Sequence, residues 1–119
     1  MAITGAHVLL YTSKAAEVRA LMRDVFRWNH VDAGDGWLIF KLPPAEIGVH
    51  PTEADYDAGN GHQFTLMCDD IHRTITELKA KGVVVEGDPQ DHGYGIVVVL
   101  KLPGDLAVQL YQPKHPTAI

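Results

Sequence analysis

The sequence is poor in cysteine, since Cys68 is the only one among 119 residues. A single thiol cannot form a disulfide within the chain, so the composition favours a reducing compartment and we expect a cytoplasmic protein. Long hydrophobic runs are also missing, because no stretch approaches the roughly 18 apolar residues that a membrane span needs. The opening segment MAITGAHVLLYTS lacks the basic start and long apolar core of a signal peptide. These absences argue against a membrane protein and against a disulfide-stabilised secreted one.

Positive charge is scarce as well. Ten Lys and Arg residues stand against fifteen Asp and Glu residues, which gives a formal net charge of -5. Without a basic run, the chain lacks the electrostatic signature of proteins that bind nucleic acid or anionic membranes, and we expect neither partner. The hydrophobic content of 46% and charged content of 21% are typical of a folded globular protein. The length predicts a single domain spanning residues 1–119.

The clearest feature that is present is an internal repeat. Residues 5–10 (GAHVLL) open the first half, and residues 61–66 (GHQFTL) open the second. Both are apolar, β-prone runs that begin with a histidine, His7 or His62. The two openings therefore predict two copies of one structural module.

A helical pattern follows each opening. Ser13 is predicted to cap the first helix, and Asp69 or Asp70 the second, with Gly82 ending the second helix. Each half closes on the tripeptide Lys-Leu-Pro, a turn and a final strand. The strands predicted after the helices cover residues 28–32, 36–42 and 45–50 in the first half, and residues 83–86, 94–102 and 106–111 in the second.

Each half is thus predicted to fold as βαβββ, with module one at about residues 5–52 and module two at about residues 61–113. A tandem βαβββ with a histidine opening each module resembles the vicinal oxygen chelate superfamily of glyoxalase I, fosfomycin-resistance proteins, bleomycin-resistance proteins and extradiol dioxygenases. The resemblance implies an α+β fold in which the modules form a cupped, half-open mixed β-sheet barrel with the helices outside. It also implies a homodimer and, in the active members, a divalent metal (Zn, Fe, Mn or Ni) inside the cup.

Residue by residue, the resemblance implies metal ligands at His7, His62 and Gln109. Gln109 stands where many members have a glutamate, and a neutral amide is a weaker donor than a carboxylate. The matching position on the last strand of module one is Gly48, which has no side chain to offer.

Strand periodicity adds candidates on the cup side, because alternate residues of a strand share a face. Glu46 and His50 flank the empty Gly48 position, and we expect Glu46 to act as the general base with His50 second. Gln109 and Tyr111 share a face opposite Val108 and Leu110. The predicted substrate-binding side chains are Tyr11, Trp37, Phe64 and Tyr111. For Trp37, packing in the core is the more common role of such a residue, and stacking on a flat ligand is the alternative.

Two functions of different kinds follow. The first is a metal-dependent enzyme of the glyoxalase or dioxygenase type, in which the metal acts as a Lewis acid on adjacent oxygens of a small substrate. The paired His7 and His62 favour it. The second is a metal-free protein that sequesters a small ligand, as bleomycin-resistance proteins do. Gly48 and Gln109 favour this alternative, and the acidic balance of the chain suits a cationic ligand.

Overall fold

The computed structural model describes residues 7–46 and 63–119. The elements are α1 (Ala15–Asp24), β1 (His30–Asp32), β2 (Leu38–Phe40), β3 (Thr65–Met67), α2 (Ile71–Ala80), β4 (Val84–Asp91), β5 (Gly95–Leu102) and β6 (Leu106–Pro113). Within the described residues, β1 and β2 pair antiparallel, and the other four strands form a mixed sheet of order β3-β6-β5-β4, with β3 parallel to β6. This arrangement confirms the α+β class. None of the helices in this part of the chain is long and apolar enough to cross a membrane.

The second half contains the predicted βαβββ order, as β3, α2, β4, β5 and β6. Asp70 caps α2, because its carboxylate accepts a hydrogen bond of 3.1 Å from the backbone N–H of Arg73. Gly82 follows the helix with φ +85°, a left-handed conformation that glycine adopts without steric cost. The order of elements agrees with the prediction, but β4 continues to Asp91, beyond the predicted strand end at residue 86.

The first half departs from its prediction. Residues 7–12 form no strand, so the strand predicted at residues 5–10 is wrong over its described part. The described residues offer this segment no ladder partner, and residues 47–50 of the module's predicted last strand lie outside them. The capping residue is also different: Lys14 is the N-cap of α1, and the hydroxyl of Thr12, not that of Ser13, accepts from the Lys14 N–H at 3.2 Å.

The core lies between α2 and one face of the four-stranded sheet. Ile71 and Leu100 have no exposed surface, and Val108 is 2% exposed. Along β6, Val108 and Leu110 are buried while Ala107 is exposed and Gln109 is half-buried, which confirms the predicted alternation of this strand. The buried cluster comprises Val18, Ile71, Ile75, Val98, Leu100, Leu102, Val108 and Leu110.

Candidate ligand-binding site

A cavity of about 510 Å³ opens between α1, residues 7–12 and β2, and we call it the α1 cavity. Its size falls in the range of sites that bind small molecules, and most of its wall is apolar, as such sites usually are. Val18 and Met22 of α1 face it, and Trp28 and Trp37 add two indole rings. Other apolar contributors include Leu10, Leu38, Phe40 and Phe64.

Trp37 lies at this cavity and is 55% exposed, so the expectation that it packs in the core is wrong. It closes the turn that precedes β2, where its backbone N–H donates a hydrogen bond of 2.9 Å to the Gly34 carbonyl. The guanidinium of Arg19 lies over its ring, 4.7 Å from the centroid. One face of the indole is therefore covered by a cation, while much of the ring stays accessible to solvent.

The polar side chains that line the α1 cavity are His7, Thr12, Arg19 and Lys41. No aspartate or glutamate is found among the described residues of its wall. Sequence reasoning missed Arg19 and Lys41. For Arg19 a signal was present, since it lies four residues after Ala15 and three before Met22 and so shares their face of α1.

A second cavity of about 770 Å³, which we call the tail cavity, lies between β3, residues 42–46 and the C-terminal residues. Glu46 lines it, and its carboxylate accepts a hydrogen bond of 2.7 Å from the Ala118 N–H. Phe64 lines both cavities and packs against the core. The predicted general base and the predicted ligand His7 are therefore placed at different cavities.

Gln109 of β6 contacts the neighbouring strand β3 and lines neither the α1 cavity nor the tail cavity. The parallel register pairs it with Thr65, whose hydroxyl donates to the Gln109 side-chain oxygen at 3.3 Å. The amide oxygen that would serve as a metal donor already accepts this hydrogen bond.

Tyr111 shares the Gln109 face of β6, and its hydroxyl contacts Nε2 of His115. Nδ1 of His115 lies 2.7 Å from the carbonyl oxygen of Pro116. A carbonyl only accepts, so in the neutral imidazole this contact favours the proton on Nδ1 and leaves Nε2 to accept from the tyrosine. Burial, with smaller effects from Tyr94 and Glu46, raises the pKa of Tyr111 above its usual value. The phenol is thus a neutral hydrogen-bond donor near physiological pH.

Among the predicted substrate-binding residues, Trp37 and Phe64 meet at the α1 cavity. Tyr11 is 83% exposed and is not part of the cavity wall, and Tyr111 lies apart with His115. The structure therefore brings together two of these four side chains.

The predicted metal ligands are only partly described. His62, like His50 and Gly48, lies outside the described residues. Within residues 7–46 and 63–119, no three His, Cys, Asp or Glu side chains are grouped so as to hold a metal ion. His7 lines the α1 cavity, whereas Gln109 lines neither cavity. The full set of His7, His62 and Gln109 stays a prediction.

Residues 5–105 match the family model of the Glyoxalase/Bleomycin resistance protein/Dioxygenase superfamily. The match covers most of the sequence and agrees with the βαβββ order of the second half. The chain belongs to this superfamily. No curated protein matches the chain significantly.

Solved structures with the same fold differ in their described roles. TnmS3, an antibiotic binding protein from Streptomyces sp. CB03234, is 19% identical with a TM-score of 0.64, over 96% of this chain and 99% of that one. Lactoylglutathione lyase from Agrobacterium tumefaciens is 21% identical with a TM-score of 0.62, over 92% and 93% of the two chains. The fosfomycin resistance protein FosX from Listeria monocytogenes is 12% identical with a TM-score of 0.58, over 96% and 94%. At these identities the similarity shows the fold alone.

Proposed function

We propose that this protein binds a small aromatic ligand in the α1 cavity and that binding needs no metal ion. The observation that carries the proposal is the cavity itself: an apolar wall with the accessible ring of Trp37 at its edge. Moving an apolar ligand from water onto such a wall is favourable, and aromatic rings add stacking or edge-to-face contacts. Ligand binding alone explains the apolar wall and the accessible Trp37 ring, without a catalytic reaction.

The arrangement of Gln109 supports the metal-free form of the proposal. Where the family's active members often carry a carboxylate, this chain has an amide, and the amide oxygen is engaged by Thr65. A metal ion at that oxygen would have to share it with the Thr65 hydroxyl or displace the hydrogen bond. The description of TnmS3 as an antibiotic binding protein shows that ligand binding is one role described on this fold.

Filling the α1 cavity should block binding. Ala15, the first residue of α1, is half-buried and lines the cavity. In an Ala15→Phe variant the added ring would occupy space that a ligand needs. We expect the affinity for the neutral fluorescent probe N-phenylnaphthylamine to fall by about tenfold or more, as expected when an apolar contact worth about 1.4 kcal/mol is lost. Fluorescence titration measures the dissociation constant.

The control is Ala16→Phe. Ala16 is the next residue of the same helix, is exposed and is not part of the cavity wall. It receives the same added ring at a site that cannot obstruct the cavity, so its affinity should match that of the unmodified protein. Equal probe binding by Ala15→Phe and Ala16→Phe would place the ligand elsewhere.

A metal-dependent enzyme of the glyoxalase type is the second candidate, and the position of His7 at the α1 cavity favours it. It predicts turnover of a small oxoaldehyde or catechol that disappears when the protein is treated with a chelator. The homodimer and the cytoplasmic location stay predictions under either function.

A further inference from the structure

We infer that the α1 cavity selects an anionic aromatic ligand, an aromatic carboxylate or sulfonate, and that Arg19 binds its acidic group. The inference rests on the proposed function, because it assigns a ligand class to the same cavity. It reverses the expectation of a cationic ligand that the overall charge of the chain suggests. The charge of the cavity wall, not the net charge, decides which ligand is stable inside.

The wall carries charge of one sign. Arg19 and Lys41 are cationic, His7 and Thr12 add polar groups, and the described wall has no carboxylate. The acidic residues that make the net charge -5 are spread over the whole chain. At physiological ionic strength, charges more than about 8 Å away are largely screened, so nearby groups dominate.

Arg19 lies in the wall of the α1 cavity and has hydrogen-bond donors to offer an anion. Its guanidinium carbon lies over the Trp37 ring, 4.7 Å from the ring centroid. Of its five donors, Nη1 is engaged in a long hydrogen bond of 3.5 Å to the Gly36 carbonyl. Within the described residues, Arg19 forms no ion pair, whereas Arg23 is paired with Asp24 and Arg73 with Asp69. A planar guanidinium with free edge donors matches the geometry of a carboxylate.

The two halves of the proposed ligand follow from this arrangement. An aromatic body would lie against Trp37, Trp28 and Phe64, and an acidic group at its edge would reach Arg19. A cationic aromatic ligand of equal size would meet Arg19 and Lys41 with like charge and without a compensating carboxylate in the described wall. The site therefore discriminates by the sign of charge as well as by shape.

Two probes that share one aromatic skeleton test the inference. Anilinonaphthalene sulfonate carries a sulfonate, and N-phenylnaphthylamine lacks it. Arg19→Gln should weaken binding of the sulfonate about five- to tenfold, the loss expected for one charge-assisted hydrogen bond at a half-exposed site. Binding of the neutral probe should change by no more than about twofold, because this probe has no acidic group for Arg19 to bind. Added salt should weaken only the sulfonate complex.

Arg23→Gln is the matched control. It removes the same charge from the same helix, and Arg23 is exposed, paired with Asp24 and absent from the cavity wall. Neither probe should respond to it. Arg19→Lys keeps the charge but loses the planar fork, and should fall between the unmodified protein and Arg19→Gln.

The outcomes separate this inference from the proposed function. Loss of sulfonate affinity in Arg19→Gln alone supports both. If both probes bind stoichiometrically but Arg19→Gln binds the sulfonate as well as Arg23→Gln does, the anion selectivity is wrong and the binding function survives. If neither probe binds the unmodified protein, the proposed function fails, and the ligand class fails with it.

Discussion

Replacing Leu100 by alanine should lower the free energy of unfolding by about 3–4 kcal/mol, the middle of the range for fully buried Leu→Ala changes. Leu100 has no exposed surface and lies on β5, between Val85 of β4 and Val108 of β6. The substitution removes three carbon atoms from the sheet face that packs on α2. Neighbours held by strand pairing cannot close the cavity fully, so the lost contacts are not recovered. Urea denaturation measures the change.

Leu9→Ala is the control for Leu100→Ala. It is the same chemical change at a leucine that is 55% exposed and lies outside regular structure. We expect a cost below about 1 kcal/mol there, since little apolar surface is lost from the interior. Similar costs for the two variants would contradict the position of the core between α2 and the four-stranded sheet.

Replacing Gly104 by alanine should cost about 2–3 kcal/mol, because two penalties add. Gly104 lies in the turn between β5 and β6 with φ +81°, and a left-handed conformation costs an ordinary residue about 1–2 kcal/mol. A Cβ atom there would also overlap the hydroxyl of Thr12. That hydroxyl donates to the Pro103 carbonyl at 3.0 Å and ties residues 7–12 to the second half. Losing a hydrogen bond of this kind costs about 1 kcal/mol more.

Gly93→Ala separates the two penalties. Gly93 has φ +84° in the turn before β5, but a Cβ atom there meets nothing within 4 Å. It should therefore show the backbone penalty alone. A Thr12→Ala background should remove the overlap, so that Gly104→Ala costs there no more than Gly93→Ala does. Equal costs for Gly93→Ala and Gly104→Ala in the unmodified background would mean that Thr12 does not pack on the turn.

The second half could be predicted because its signals are local and consistent. Asp70 offers a capping carboxylate, Gly82 ends the helix, and β6 alternates apolar and polar side chains. Each signal acts within a few residues of the structure it specifies. Agreement among such signals is what makes a segment predictable from sequence.

The first half and the site were predicted less well, because they depend on distant partners. A β-prone run becomes a strand only when another strand pairs with it, and residues 7–12 have no such partner in the described chain. Ser13 was the expected cap, yet Lys14 is the N-cap, and the Thr12 hydroxyl that accepts from the Lys14 N–H also donates to Pro103, 91 residues away. The stacking of Arg19 on Trp37 joins residues 18 positions apart, and no spacing rule indicates it.

The metal content of the purified protein tests the central claim of binding without a metal most directly. The protein should be prepared without chelator and without an affinity-tag metal, and zinc, iron, manganese and nickel should be measured per chain. Our account predicts far less than one metal ion per chain and no stoichiometric uptake when these ions are added. About one ion per chain, lost in His62→Ala, would contradict it and favour the metal-dependent enzyme.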